Sequence, residues 1–346
     1  MIFARSSDMV HDAIQTLFES RVLALPVFNE DDQCIGAIDL LTVLQYPLRM
    51  GMISGEDDVK NNAAYVSAMW DAVRELPIGA VLESAPKTLV PFYIENPVSM
   101  LIDLFSTGVH RVALFSTDKR VISTCSQSDV TSFLCALYHQ ALAIEAASAE
   151  KGDQEVGSPL PNPVSTTSPA WIAAAAAAEY MVPNDVVHAF TSTDADALGL
   201  LKAVDSVSVN VPVFEALRRL AETGRRALAV VDHDGRLVAD FSTSDLHNLP
   251  SANFDSLASS LGVWLQSYSP ESLRPICTTA SSNIGQLVDA MVAKRHHRLW
   301  VLDDQGKPQS VISLTDILSL FATSDRVDAR TTAGDFDLSS LWSGSL

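Results

Sequence analysis

One unit is written four times along this chain, and a repeat fixes an architecture before any single residue is interpreted. Each copy closes with an apolar strand, a small-residue turn and the start of a helix. Three of the turns read Ser126-Gln127-Ser128-Asp129, Ser242-Thr243-Ser244-Asp245 and Ser313-Leu314-Thr315-Asp316. The turn nearest the N-terminus reads Asp39-Leu40-Leu41-Thr42, with Thr42 in place of the last aspartate.

The register holds upstream as well. His110-Arg111 begins 19 residues before Asp129, and His297-Arg298 begins 19 residues before Asp316. Arg226 stands 19 residues before Asp245, whereas Leu23 holds the matching place in the first copy. A short apolar strand follows in each: Leu25–Phe28, Val112–Phe115, Leu228–Val231 and Leu299–Leu302. Each then meets a polar turn, such as Asp232-His233-Asp234-Gly235 or Asp303-Asp304-Gln305-Gly306, and a second strand, which reads as a hairpin.

The copies occupy 1–50, 88–142, 201–250 and 275–323. A connecting helix (Ala63 to Leu76) and loops fill 51–87, and a second connecting helix fills 251–274. The stretch 143–200 is a linker and insert. Gly157-Ser158-Pro159-Leu160-Pro161-Asn162-Pro163 cannot build a core, and Ala173–Ala178 has helical propensity. The aspartates agree, since Asp129 and Asp245 lie 116 residues apart but Asp245 and Asp316 only 71. Residues 324–346 read as a polar tail that frays.

At 346 residues the chain is long enough for two ordinary domains. Its 47% hydrophobic and 19% charged content is that of a globular protein. A formal net charge of −19 argues against nucleic acid or an anionic membrane as a partner, but leaves room for a small anion held by local arginines. The four cysteines form no Cys-x-x-Cys pair and read as free thiols in a reducing compartment. The N-terminal residues show no signal-peptide core, and Trp171–Ala178 is too short to span a bilayer, so the cytoplasm or the nucleus is the expected location.

The strand–helix–strand–strand–helix unit resembles the cystathionine β-synthase (CBS) domain. Four in tandem resemble the gamma subunit of AMP-activated protein kinase with its fungal and plant relatives. His296-His297-Arg298-Leu299-Trp300-Val301-Leu302, followed by Val311-Ile312-Ser313-Leu314-Thr315-Asp316, carries the resemblance most fully. It implies an α+β fold of four β-α-β-β-α domains, in two face-to-face pairs that form a disc. It also implies clefts for AMP, ADP or ATP as regulatory ligands, with no cofactor required. In such clefts Asp129, Asp245 and Asp316 hold the ribose, with Ser126, Ser242, Ser313, Thr315 and Thr278 beside them. His110, Arg111, Arg226, His297 and Arg298 meet phosphate. The implied partners are a kinase catalytic subunit and a beta-type scaffold subunit.

Three departures stand against that pattern. Asp129 is present where the second repeat usually lacks the aspartate, Thr42 stands where the first usually has it, and the insert is long.

The residue chemistry suits this role. A carboxylate accepts from two adjacent hydroxyls, and arginine's planar fork donates twice to phosphate. The plainer alternative is that Ser-x-x-Asp before an apolar helix is a capping box, that a histidine at a strand edge is structural, and that an arginine pairs with one of 42 acidic residues. Thr278 fits a turn as well as a ligand contact. Asp232-His233-Asp234 reads as a solvated turn, and His296-His297 is a poor metal pair because strand neighbours point to opposite faces. There is no Gly-rich phosphate loop with Lys, no Gly-x-Ser-x-Gly and no zinc spacing, so an enzyme is not expected. Three readings remain: an energy-sensing subunit of a kinase, a free-standing CBS regulator of another enzyme, and a scaffold whose aspartates only cap helices.

Overall fold

The computed structural model describes residues 2–20, 22, 24–50, 68, 70–84, 90–117, 121–151, 195, 199–248 and 254–322. Four β-α-β-β-α units build four three-stranded sheets. The first unit holds β1 (Ala4–Arg5), α1 (Val10–Ser20), β2 (Leu25–Phe28), β3 (Cys34–Ile38) and α2 (Leu40–Arg49). After α3 (Ile78–Glu83), the second holds β4 (Val90–Tyr93), α4 (Val98–Ser106), β5 (Arg111–Phe115), β6 (Val121–Ser126) and α5 (Gln127–Lys151). The third holds β7 (Ser206–Ser208), α6 (Val213–Thr223), β8 (Ala227–Val231) and β9 (Leu237–Ser242), and closes on a short 3-10 helix, Thr243–Asn248. After α7 (Leu261–Tyr268), the fourth holds β10 (Cys277–Thr278), α8 (Ile284–Lys294), β11 (Arg298–Leu302), β12 (Pro308–Ser313) and α9 (Leu314–Ser319).

In each sheet the second strand is central. β1 runs parallel to β2, and β7 to β8, which the intervening helix permits. The following strand returns antiparallel through a tight turn. Three of these turns share one device. The side-chain oxygen of Asn29, Asp232 or Asp303 accepts the amides two and four residues on, at 2.8–3.1 Å. The residue three places on must then turn left-handed. Gly235 (φ 78°) and Gly306 (φ 79°) do so at no steric cost, and Asp32 (φ 60°) does so as an aspartate.

The chain divides into two compact units that interleave in sequence. One contains 1–90, 203–277 and 302–310, hence the first and third repeats. The other contains 91–202, 278–301 and 311–346, hence the second repeat and most of the fourth. In the first unit α2 packs on α6, and one continuous core joins Leu25, Val27 and Ile38 to Leu228, Val230, Phe241 and Trp264. Phe241 and Trp264 meet edge to face at 6.1 Å. In the second unit α9 packs on α4 and α5, and α8 packs on α5.

The segments after the first and third repeats re-enter alike. Val10 N donates to Leu76 O and Ile78 N to Asp8 O, just as Val213 N donates to Ser259 O and Leu261 N to Val211 O. Gly79 N and Gly262 N then bond to Ser6 O and Val209 O, each at 2.9 Å. A β-carbon on Gly262 would sit 2.6 Å from Val209 Cγ2, so this approach requires glycine.

Two expectations change. The connecting helix at 251–274 is broken into Phe254–Ala258, α7 and Pro270–Leu273, because Ser260 turns extended to bridge Pro212 and Ser269 leaves helical geometry before Pro270. The last helix of the second repeat continues past residue 142 to Lys151. Within the first connecting helix, Trp70–Val73 is helical and most of the rest lies outside the described residues, as do most of the insert, including Ala173–Ala178, and the tail 324–346. No helix among the described residues is long and apolar enough to cross a membrane.

Candidate functional site

The Ser-x-x-Asp turns fold alike. In each, one carboxylate oxygen accepts both the amide and the hydroxyl of the turn's own serine. Ser126 N and Oγ reach Asp129 Oδ2 at 2.8 and 2.7 Å. Ser242 N and Oγ reach Asp245 Oδ2 at 2.6 and 2.9 Å, and Ser313 N and Oγ reach Asp316 Oδ2 at 2.8 and 2.6 Å. The capping alternative is therefore physically present, and at Ser313 it is a full capping box. Capping uses only Oδ2, so the functional question is where Oδ1 points.

The three aspartates answer differently. Asp245 Oδ1 accepts from Ser269 Oγ at 2.6 Å and from Ser272 Oγ. With Ser242, four donors fill the roughly four lone-pair positions of this buried carboxylate. A ribose contact was expected here, but the geometry makes Asp245 a structural acceptor that ties the 3-10 helix Pro270–Leu273 to the third repeat. The 3-10 helix on which it sits is also too short to lend much dipole. Asp316 Oδ1 holds the ammonium of Lys202 instead, with the carboxylate 5% and the lysine 44% exposed. Asp129 is half-buried in the first turn of α5, and no hydrogen bond or ion pair among the described residues reaches its Oδ1.

In the first repeat the same turn is built with its partners exchanged. Asp39 is the cap, and Thr42 N and Oγ1 both donate to Asp39 Oδ1 at 2.7 Å. The carboxylate has moved three places upstream rather than vanished. Its Oδ2 lies 3.6 Å from Arg226 Nη1. Arg226, expected at phosphate, is thus partnered by an aspartate, as the plainer reading of an arginine in an acidic chain holds. Thr278 Oγ1 donates to Ser282 Oγ at 2.8 Å and acts in its own turn.

The remaining expected residues converge inside the second unit. His110 Nδ1 lies 3.0 Å from Gln127 Oε1. Gln127 Nε2 in turn donates to Phe105 O at 3.0 Å and to Thr315 Oγ1 at 2.8 Å, joining the second repeat to the fourth. His110 O and His297 O accept the first amides of α5 and α9, each at 3.1 Å, so both His-Arg pairs are fixed at a strand start beside a helix start. Arg111 of the second repeat and Arg298 of the fourth both act on His297. Partial desolvation, then Arg298, Arg111 and His296, push its imidazole down to about 4. His297 nevertheless keeps an exposed surface. At neutral pH the cluster holds two guanidinium charges and a neutral imidazole. Lys202 and Gln127 were absent from the expected set; Lys202 sits on no repeat motif, whereas Gln127 follows directly on Ser126.

The comparisons with known proteins agree with this architecture. The CBS-domain family description matches residues 200–250 and 271–323. Those two segments are CBS domains. The first two repeats share the β-α-β-β-α fold of those segments. The protein SDS23 of Kluyveromyces lactis is 22% identical over 93% of this CBS-domain protein and 60% of its own length. The chain thus spans less than two thirds of the SDS23 sequence. The SNF1-related protein kinase regulatory subunit gamma-like PV42b of Arabidopsis thaliana is 23% identical over 89% of this chain and 87% of its own. The AMP-activated protein kinase gamma subunit of Saccharomyces cerevisiae is 25% identical over 33% of this chain and 35% of its own. Among solved structures, MJ1225 of Methanocaldococcus jannaschii, described as an archaeal homologue of that gamma subunit, superposes with a TM-score of 0.57 at 16% identity. It covers 93% of this chain and 96% of its own, which is a likeness of fold.

Proposed function

We propose that this CBS-domain protein binds adenine nucleotides (AMP, ADP or ATP) as regulatory ligands and through them regulates a protein kinase. The observation that carries the reading is the convergence of Arg111, His297 and Arg298 in the second unit. Asp129 in the same unit leaves one carboxylate oxygen to a ribose, and Asp316 does so where Lys202 gives up its place. Guanidinium forks match phosphate oxygens, and hydrogen bonds to a carboxylate contribute about 1.5–3 kcal/mol each. AMP, ADP and ATP share the adenosine contacts and differ in charge at the arginines. That difference lets their ratio select a conformation, since a ligand shifts an equilibrium only through differential affinity. The kinase partner, with a catalytic and a beta-type scaffold subunit, rests on the names of the gamma-like relatives.

A second reading has its own support. The matches spanning nearly the whole chain are to SDS23 and the gamma-like protein, while the yeast gamma subunit matches only a third. A free-standing CBS regulator of another enzyme fits that distribution.

Calorimetric titration of the purified chain with AMP and then ATP tests the ligand. Saturable binding that Arg298→Gln abolishes supports the proposal; no binding of either nucleotide overturns it in favour of a scaffold. Affinity capture from the source cells tests the partner. Recovery of a kinase catalytic subunit supports the kinase role, and recovery of a different enzyme supports the free-standing one.

A further inference from the structure

On α5, Cys135 and His139 stand four residues apart and therefore on one face of the helix. Asp289 projects from α8, which packs against that face. A single oxygen, Asp289 Oδ1, lies 3.4 Å from Cys135 Sγ and 2.7 Å from His139 Nε2. The three ligand atoms all lie within 4.8 Å of one another.

We propose that Cys135, His139 and Asp289 form a binding site for a divalent ion of the zinc class, linking the second repeat to the fourth. A thiolate, an imidazole nitrogen and a carboxylate are a borderline-soft donor set that suits zinc and disfavours magnesium or calcium. Zinc bonds of about 2.3 Å to sulfur and about 2.0 Å to nitrogen and oxygen, at tetrahedral angles, place sulfur and oxygen about 3.5 Å apart and nitrogen and oxygen about 3.3 Å apart. The sulfur–oxygen pair already has that spacing. The nitrogen–oxygen pair, at 2.7 Å, needs to open by about 0.6 Å, and the His139 side chain is 54% exposed and has the room. Exposure of His139 and Asp289 also gives the ion a way in, with water completing the fourth position. On coordination the thiol proton leaves to solvent and the imidazole proton passes from Nε2 to Nδ1 by way of solvent, and the thiolate and carboxylate then neutralise the ion's two charges. In the metal-free state burial and Asp289 push the Cys135 thiol up to about 12, so it is the hydrogen-bond donor to that carboxylate.

The other clustered candidate is weaker. In Asp232-His233-Asp234, Asp232 Oδ1 is already taken by two amides of its own turn.

Titration of the full chain with Co²⁺ as a spectroscopic probe, followed by displacement with Zn²⁺, tests the site. A tetrahedral visible spectrum with a thiolate-to-cobalt charge-transfer band is expected, lost in Cys135→Ser and in the surface variant His139→Ala, and retained in His233→Ala. Zn²⁺ is also expected to raise the melting temperature of the wild type and not of His139→Ala. Because His139 is exposed, that variant separates metal loss from misfolding. No charge-transfer band, or one that survives Cys135→Ser or His139→Ala, overturns the site and leaves the trio as a hydrogen-bonded helix contact.

Discussion

Lys202 places its ammonium on the one oxygen of Asp316 that the capping serine leaves open. A ribose hydroxyl seeking that oxygen meets a cation already there. Replacing Lys202 with methionine keeps the aliphatic stem and removes the competitor. Nucleotide affinity is expected to rise by up to about tenfold, or about 1.4 kcal/mol. Isothermal titration checks this; weaker binding would make Lys202 a ligand contact rather than a rival.

Asp245 is expected to behave as a stability residue. Asp245→Ala removes the carboxylate oxygen that the buried hydroxyls of Ser269 and Ser272 share. The loss is expected to be about 2–4 kcal/mol, read by urea denaturation, with nucleotide affinity per folded molecule unchanged. A stable variant that no longer binds would restore Asp245 to the ligand site.

The opposite split is expected at Asp129. Asp129→Ala removes one capping acceptor, a change of about 1 kcal/mol in stability. If Oδ1 serves a ribose, binding at this position is lost. Calorimetry showing an unchanged stoichiometry and affinity would reduce Asp129 to a cap.

Arg226 and Asp39 form a long, partly exposed ion pair. Arg226→Gln is expected to cost less than about 1 kcal/mol and to leave nucleotide affinity as it was. A large loss of affinity in a competition assay would return Arg226 to the phosphate.

His297 gives a pH dependence. Its folded-state pKa of about 4 lies below the 6.5 of a free imidazole, so the unfolded chain takes up the proton first. Its contribution to stability is full above pH 6.5 and is lost as pH falls towards 4. Solvent contact holds that contribution to about 1 kcal/mol or less. A bound phosphate offsets the repulsion from Arg298 and Arg111, favours the imidazolium and draws in a proton. Relative to His297→Gln, in which the nucleotide's own phosphate titrates alike, the wild type is thus expected to gain AMP affinity as pH falls from about 8 to about 6, with proton uptake visible as a buffer-dependent heat. An affinity flat across that range in wild type and His297→Gln alike would remove His297 from the site.

The repeats, hairpins and capping turns were legible because their signals are local. Asn29, Asp232 and Asp303 bond to their own turns, and each Ser-x-x-Asp closes within three residues. The fate of the second carboxylate oxygen was not legible, because its partners come from afar. Lys202 reaches Asp316 across 114 residues, and Ser269 reaches Asp245 across 24. The Asp39-Leu40-Leu41-Thr42 turn reads as a missing aspartate when only the last place is compared. There the residues are exchanged, and Thr42 Oγ1 donates to Asp39 Oδ1. The pairing of Cys135 and His139 was not read from the sequence, because Asp289 is joined to them only by helix packing.

The interleaving of the two compact units bears on synthesis at the ribosome. When the first two repeats have emerged, each lacks the repeat it packs against, and α2 and α5 wait with apolar faces uncovered until the third and fourth repeats follow. Contacts of such sequence separation close slowly. A nascent chain of this design is exposed for most of its translation, and a gene cut between the second and third repeats would yield two fragments that can complete either unit only by finding each other.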